Sequence, residues 1–453
     1  MTLEARRESR VRPGSDKRCT DAEAGNPYDA FPYRSSPIEW SAPERLAACS
    51  ALHAGPLPRL TGYRVLELGC GDGANLLPLA HYREHSEFVG VDSSQVAIGR
   101  AEQRRRQLRL GNVRFIAVDF TAAGELLGGS FDFIIAHGVV SWVSPPVRDA
   151  LLELCARRLA PGGLFYLNYN TNPGWKVRGM VRRSLLAHTA HIRGLRERAE
   201  AAQAVARSVA ASMASIDHAY CRLMAHEYTF VGGADPSYVA HEFLAPENHA
   251  YWRSDFARLM AARGFRWVAD ADFNYDTGRV PDDVADRAID SGLVGLTRED
   301  MLDLIGYRQL HSPIFTNVAA DPASERGPCP SWFLASPLVP VAPGERPGGQ
   351  LANRFFRHPS GYEVEVKEQP LASALETVAP LWPRGVRLGE VVENVPRSAE
   401  DLRLLHRHGM LELRLAEPAS PEASAVLRAC EGEWGGHYTS PYHTRHLAQQ
   451  TGA

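Results

Sequence analysis

Paired cysteines, long apolar runs and a surplus of either charge are all missing from this 453-residue chain. Its seven cysteines are scattered, with no C-x-x-C pair. An odd, dispersed set argues against a zinc site or a disulfide framework, and for reduced thiols in the cytoplasm. No segment reaches the ~18 continuous apolar residues that a membrane span needs. The first residues are basic (Arg6, Arg7, Arg10, Arg12, Lys17, Arg18), but no apolar stretch follows and they do not read as a signal peptide. The net charge of −3 gives no overall reason to expect nucleic acid or a membrane surface as partner. Apolar and charged content are those of a globular protein, and the length predicts two or three domains.

What the chain does have is Val65-Leu66-Glu67-Leu68-Gly69-Cys70-Gly71-Asp72-Gly73-Ala74-Asn75. An apolar strand runs through a carboxylate into a glycine-rich turn that opens a helix. Such a turn lets backbone approach a ligand closely, because no side chain intervenes. Asp92 ends the next predicted strand (Glu87 to Val91), and Asp119 ends the third (Val113 to Val118). Gly69, Gly71 and Ala74 also fit the dinucleotide pattern G-x-G-x-x-G/A, with Asp92 near the distance of a ribose-binding acid. A dinucleotide needs a pyrophosphate on the helix N-terminus, where Glu67 would be an awkward neighbour. A sulfonium cofactor with a free ammonium group welcomes that acid. The set therefore predicts an S-adenosylmethionine pocket. Glu67, Gly69, Gly71 and Gly73 would face its amino-acid end, Asp92 its ribose hydroxyls, and Asp119 its adenine amine with Phe120 beside the ring. Any one of these acids alone reads equally well as a turn or helix cap. Cys70, inside the turn, reads as small-residue packing rather than a nucleophile.

Strands and helices alternate from Tyr63 to Asn170, predicting parallel strands with right-handed crossovers. The fourth strand is Phe131 to Ala136. A helix over 146–159 follows, and then a fifth strand from Leu164 to Tyr169. Ahead of the first strand, the proline- and aromatic-rich stretch from Asn26 to Pro37 forbids a regular helix but should pack onto something. Residues 176–230 read as helices. Alternation then resumes with a helix over 251–263 and strands at 265–269 and 312–317, the sixth and seventh, leaving helical insertions at 176–245 and 278–308. Past a Pro/Gly linker (339–349), three short helices (371–381, 387–392, 399–408) and a strand-like run at 409–415 resemble a winged helix. Residues 371–416 hold as many acidic as basic groups, so a docking or dimer module fits better than DNA binding. The expected architecture is α/β: a Rossmann-like, seven-stranded class I methyltransferase sheet with helical insertions and a C-terminal winged-helix-like α+β domain. The expected division is 1–60 (extension and substrate-side lid), 61–175 (cofactor-binding core), 176–320 (helical middle region completing the core) and 321–453.

Two further segments leave strands at the ligand-binding edge. His137 follows the fourth strand, where it would orient the cofactor, receive a proton, or simply be hydrogen-bonded at a strand end. Trp142 either walls a substrate channel or packs on the next helix. Tyr169-Asn170-Thr171-Asn172-Pro173-Gly174-Trp175 follows the fifth strand. Tyr169 and Asn170 would hydrogen-bond an acceptor nitrogen, or else the run is a tight turn plugged by Trp175.

With these residues in view, the chain resembles a bacterial family of class I methyltransferases carrying a "methyltransferase regulatory domain", whose better-known members are protein-lysine methyltransferases acting on outer-membrane proteins. The likeness runs through Tyr33 to Pro37, Val65 to Asn75, Phe88 to Ser94, the His-Gly-x-x-Ser-Trp run at His137 to Trp142, the Tyr169 to Trp175 run, His241-Glu242-Phe243-Leu244 and Lys367 to Pro383. It implies S-adenosylmethionine as cofactor, adds Asn75 and Ser93 to the cofactor-binding set and Tyr33 to the catalytic set, and places His241 and Glu242 in a middle domain. By themselves those two read as a helix N-terminal cap pair. The chain departs from the family at Val140, where an aromatic is usual, and at Ser41-Ala42-Pro43, where Thr-His-Pro is usual. Both positions are expected where the acceptor enters. The implied activity is transfer of methyl to a protein lysine. The alternatives are tailoring of a small metabolite or peptide, and a cofactor-binding protein without catalysis. A protein or peptide substrate, no nucleic acid, no membrane span, no metal and a possible homodimer complete the expectation.

Overall fold

Five apolar runs alternate with helices along the first half of the chain, and each forms the strand that its residues predict. The computed structural model describes residues 26–271, 295–317, 327–342 and most of 354–416, with parts of 284–289 and two short strands, His437–Thr439 and Arg445–Leu447. The strands are β1 (Arg64–Leu68), β2 (Glu87–Asp92), β3 (Val113–Ala117), β4 (Phe131–Ala136) and β5 (Leu159–Leu167), followed by β6 (Tyr169–Thr171), β7 (Ala250–Tyr251), β8 (Arg266–Asp270), β9 (Leu310–His311) and β10 (Pro313–Thr316). The main sheet has seven strands in the order β3-β2-β1-β4-β5-β10-β8. The first five are parallel, and β10 lies antiparallel between β5 and β8. A short ribbon, β7-β6-β9, continues from the end of β5.

Near-continuous apolar strands are what a sheet covered on both faces requires. Successive residues of β1 feed opposite cores: Val65 joins Phe133 and Leu164 on one face, while Leu66 and Leu68 join Val89, Ile134 and Phe165 on the other. Helices α1 (Pro27–Ala30) and α2 (Pro43–Leu52) precede the sheet; α3 (Leu76–His81), α4 (Gln95–Gln107), α5 (Phe120–Leu126) and α6 (Pro145–Arg158) are its crossovers. The expected helical insertion forms α7 (Gly174–Thr189), α8 (Leu195–Ala214) and α9 (Ala219–Gly233), with a core of its own around Val181, Leu185, Ala206, Tyr228 and Phe243. A helical turn (Pro236–Tyr238) and a π-helix (Val239–Phe243) close that insertion. The part of the second insertion over 278–283 lies outside the described residues; Arg298–Ile305 is its described helix.

Two findings differ from expectation. Helix α2 is not part of a peripheral lid: Leu46, Ala47 and Cys49 pack in the sheet core and Ala51 and Leu52 in the C-terminal core. Eight of the ten α2 residues are buried, apolar side chains facing both cores, and α2 joins two domains for that reason. In the C-terminal region the helices Gln369–Val378, Leu388–Val391 and Ala399–Arg407 and the strand Glu412–Arg414 stand near their expected places. They pack with strands the sequence did not disclose, Phe333–Ala335, Val339–Pro340, Arg354–Arg357 and Glu363–Val366. The start of this region near Pro322 and most of the 339–349 linker lie outside the described residues.

Candidate active site

Chain direction on the sheet switches between β1 and β4, and open α/β sheets place ligands in the crevice at such a point. Here the crevice is about 500 Å³ and runs from the glycine turn to the helical insertion, with the segment 28–40 along it. Gly69 and Gly71 have φ of +80° and +52°. A Cβ on Gly69 would stand 2.5 Å from the Val139 side chain, and one on Gly71 2.9 Å from Ser35 Oγ. No other residue type makes this turn without displacing a wall of the crevice.

Asp92, at the tip of β2, holds the turn's shape: its Oδ2 accepts the Gly71 amide at 2.9 Å and its Oδ1 the Ser94 amide at 2.9 Å. Burial raises its pKa against those hydrogen bonds. Glu67 is 3 % exposed; its Oε1 accepts from Asn75 Nδ2 at 2.9 Å, while Oε2 is buried with no partner. Desolvation pushes its pKa up to about 8, with the nearby Asp92 charge adding to the shift. Asn75 also accepts from the Ile38 amide at 2.9 Å and donates to Ser41 Oγ at 3.0 Å, so it ties the N-terminal segment to the turn. Ser93 is an exposed neighbour whose Oγ accepts from Asn26.

At the end of β4, His137 Nδ1 is 2.7 Å from the Tyr166 hydroxyl, which also accepts from Trp40 Nε1 at 2.7 Å. The Gly138 amide donates to Asn168 Oδ1, which turns Asn168 Nδ2 toward His137 Nε2 at 3.3 Å. That amide orientation leaves Nε2 as acceptor and puts the ring proton on Nδ1. His137 is thus a fixed wall of the crevice, held by two residues of the β5 strand and its end. Trp142 stands against Trp175, rings 5.5 Å apart and edge-on, and both border the crevice. Tyr33 borders it too, edge-on to His241 at 5.9 Å. Asn170 is 3 % exposed; its backbone N–H donates to Ser141 Oγ, while its side-chain Nδ2 has no partner.

Several expected site residues are placed elsewhere. Gly73, with φ +79°, does not border the crevice; a Cβ there would meet Phe115, Leu77 and Ala101, so it lets the turn pack on α4 and β3. Asp119 is exposed and caps α5, its Oδ1 accepting from the Thr121 amide at 2.9 Å and hydroxyl at 2.6 Å. Phe120, next to it, does border the crevice. The Tyr169 ring stacks on Phe256 at 3.9 Å and lies 5.5 Å from His311, in the core, so its hydroxyl is not offered to an acceptor although the residue borders the crevice. Cys70 is buried, its Sγ against Gly90, and burial raises its thiol pKa well above normal, which fits packing. Val140, Ser41, Ala42 and Pro43 are buried and do not border the crevice, so the two departures from the family pattern fall in the core.

The N-terminal cap reading of His241 and Glu242 also fails. They sit in the π-helix after α9 and face the crevice opposite the glycine turn. π-Helical turns recur at functional sites because the extra residue re-aims side chains. Tyr28 stacks on His241 at 4.3 Å, and His241 Nε2 donates to the Phe31 carbonyl at 2.7 Å. Burial lowers the His241 pKa, so the ring is neutral. Trp40, Tyr166, Tyr238 and Arg178 were not singled out from sequence; each is an ordinary core or helix residue until the fold brings it here.

The residues present fit S-adenosylmethionine. Glu67 Oε2 is an orphaned acceptor for an ammonium group and Asn170 Nδ2 an orphaned donor, both on the crevice. A buried polar atom without a partner is costly, and a ligand that pairs it recovers that cost. Among the described residues no three His, Cys, Asp or Glu side chains group to hold a metal ion. No helix among them is long and apolar enough to cross a membrane.

Residues 66–165, β1 through most of β5, match the methyltransferase domain family, and residues 235–316, from the π-helix region to β10, match a predicted methyltransferase regulatory domain. The fold and site thus define an S-adenosylmethionine-dependent class I methyltransferase domain. Within that class, the chain is one that joins it to a regulatory domain closing the same sheet. The chain is 32% identical over 249 residues to an uncharacterised protein of Rickettsia prowazekii, covering 55% of this chain and 45% of that one. A second uncharacterised protein of that organism is 28% identical over 239 residues, 53% of this chain and 95% of its own length. The chain thus spans under half the length of the first relative. Among solved structures, PKMT2 from Rickettsia typhi in complex with AdoHcy superposes with a TM-score of 0.73 at 21% identity, covering 91% of this chain and 86% of that one. At that identity the match establishes a shared fold over almost the whole chain.

Proposed function

We propose that the protein transfers a methyl group from S-adenosylmethionine to an amine nitrogen of a protein, a lysine side chain, by in-line displacement. The observation that carries this reading is the crevice wall, where Tyr33 and Tyr238 lie within reach of the Glu242 charge and Trp142 and Trp175 line the same crevice. Aromatic walls with an acid suit an unbranched aliphatic stem ending in a positive charge. The likeness in fold to PKMT2 bound to AdoHcy is in keeping with it.

Bound S-adenosylmethionine supplies an electrophilic methyl carbon on a positive sulfur. Glu67 would hold the cofactor's ammonium group, Asp92 and Ser93 the ribose, and Phe120 would border the adenine. His137, locked by Tyr166 and Asn168, keeps the edge of the crevice rigid beside the reacting centre, and Asn170 donates from the end of β5. Placement of this kind supplies up to ~7–11 kcal/mol of a displacement barrier. Labelled cofactor incubated with the protein and a bacterial lysate tests the reading: label should enter macromolecules and survive hydrolysis as methylated lysine. Label found only in the small-molecule filtrate would replace it with a metabolite methyltransferase.

A further inference from the structure

We infer that Glu242 is the group that recognises the acceptor, binding a primary alkylammonium between the rings of Tyr33 and Tyr238. This rests on the methyltransferase reading and says what selects its substrate.

The carboxylates of Glu67, Asp92 and Glu242 border the crevice. Glu67 and Asp92 are hydrogen-bonded into the glycine turn. Glu242 accepts no hydrogen bond and forms no salt bridge with any described residue. The cation whose charge acts on it is Arg178, whose Nε donates to Glu227 Oε2 at 2.9 Å. Glu227 is itself fully engaged, its Oε1 accepting from Tyr307 and Gln309 at 3.0 Å each. That pair belongs to the framework, and Glu242 is left with no hydrogen-bonded partner among the described residues.

Its surroundings name the partner. Tyr33 and Tyr238 both border the crevice and both feel the Glu242 charge, which adds to desolvation in raising their phenol pKa values. His241 beside it is neutral and spoken for by Phe31. Burial pushes the Glu242 pKa up to about 8, against the opposing pull of the Arg178 charge. Aromatic faces plus a carboxylate with no hydrogen-bonded partner attract an alkylammonium through its charge and its methylene stem together.

The test uses the full chain saturated with S-adenosylhomocysteine and titrated with n-pentylammonium chloride, with 1-pentanol as uncharged control, read by the fluorescence of the crevice tryptophans Trp142 and Trp175. The expected result is at least about tenfold tighter binding of the ammonium than of the alcohol, a preference that Glu242→Gln abolishes while S-adenosylhomocysteine affinity, measured by calorimetry, stays within about twofold. Equal binding of the two probes by the unaltered chain, or an undiminished ammonium preference in Glu242→Gln, would overturn the inference. So would loss of S-adenosylhomocysteine binding in that variant, which would make Glu242 a structural group. If the unaltered chain binds no S-adenosylhomocysteine at all, it is the methyltransferase reading that falls.

Discussion

Asp92 and Asp119 end neighbouring strands and look equivalent in sequence, yet their carboxylates do different work. Asp92 lies on the crevice between two backbone amides, whereas Asp119 is exposed and spends its Oδ1 on the first turn of α5. Asp92→Ala should therefore weaken S-adenosylmethionine binding by tenfold or more, about 1.4 kcal/mol, in a calorimetric titration. Asp119→Ala should cost about 1 kcal/mol of stability by chemical denaturation, Asp119→Ser should recover most of it, and both should bind cofactor far better than Asp92→Ala does. Which end-of-strand acid caps a helix and which faces a ligand depends on the direction of the next few residues, and one-dimensional spacing does not carry that. Tyr169 shows the same limit. Its position after β5 was legible, but its ring turns to Phe256 because successive side chains along a strand point to opposite faces.

Among the elements, β8, β9 and the helix Arg298–Ile305 meet at one buried histidine. His311 lies between Asp270 at 2.9 Å and Asp303 at 2.8 Å, and is 2 % exposed. Burial alone would lower its pKa, but the Asp270 and Asp303 interactions outweigh burial and raise it. His311 and its neighbours hold the Asp270 pKa far below the usual carboxylate range in the same way, against burial. A raised histidine pKa stabilises the fold fully below its unfolded value of about 6.5 and is lost as pH climbs through the folded value. A depressed aspartate pKa stabilises above about 3.9 and is lost as pH falls through the folded value. Urea melts across pH should then show stability declining above about 6.5. His311→Gln should cost about 3 kcal/mol near pH 6 and flatten that decline. A melt as steep in the variant as in the unaltered chain would show that other groups govern it. Because Tyr169 pairs with His311 across β6 and β9, this cluster also braces the strand that carries Asn170.

For the whole molecule, α2 is the joint. Arg45 reaches Glu39 at 2.9 Å and Glu412 of the C-terminal strand at 3.1 Å, and Glu412 is also held by Arg414 at 2.6 Å. The two arginines together hold the Glu412 carboxyl below its ordinary pKa in spite of burial. Glu412→Gln should cost about 3 kcal/mol by leaving Arg414 short of its counter-charge, and amide exchange should quicken in 327–416 before it does in β1–β5. Equal protection in both regions would mean that the two domains unfold as one unit.

The strands as runs along the chain, the glycine turn, the acid at the tip of β2 and the chemistry of the cofactor were written in the sequence, because each shows in residues near one another along the chain. Gly69 and Gly71 must be glycine for local steric reasons, and the apolar strands must be covered on both faces whatever covers them. The far wall of the crevice was decided only by tertiary structure. His241 and Glu242 lie more than 160 residues beyond the turn they oppose, and nothing in their own neighbourhood distinguishes a helix cap from a binding group. Only folding brings the Glu242 carboxylate to the crevice with no hydrogen-bonded or salt-bridged partner among the described residues.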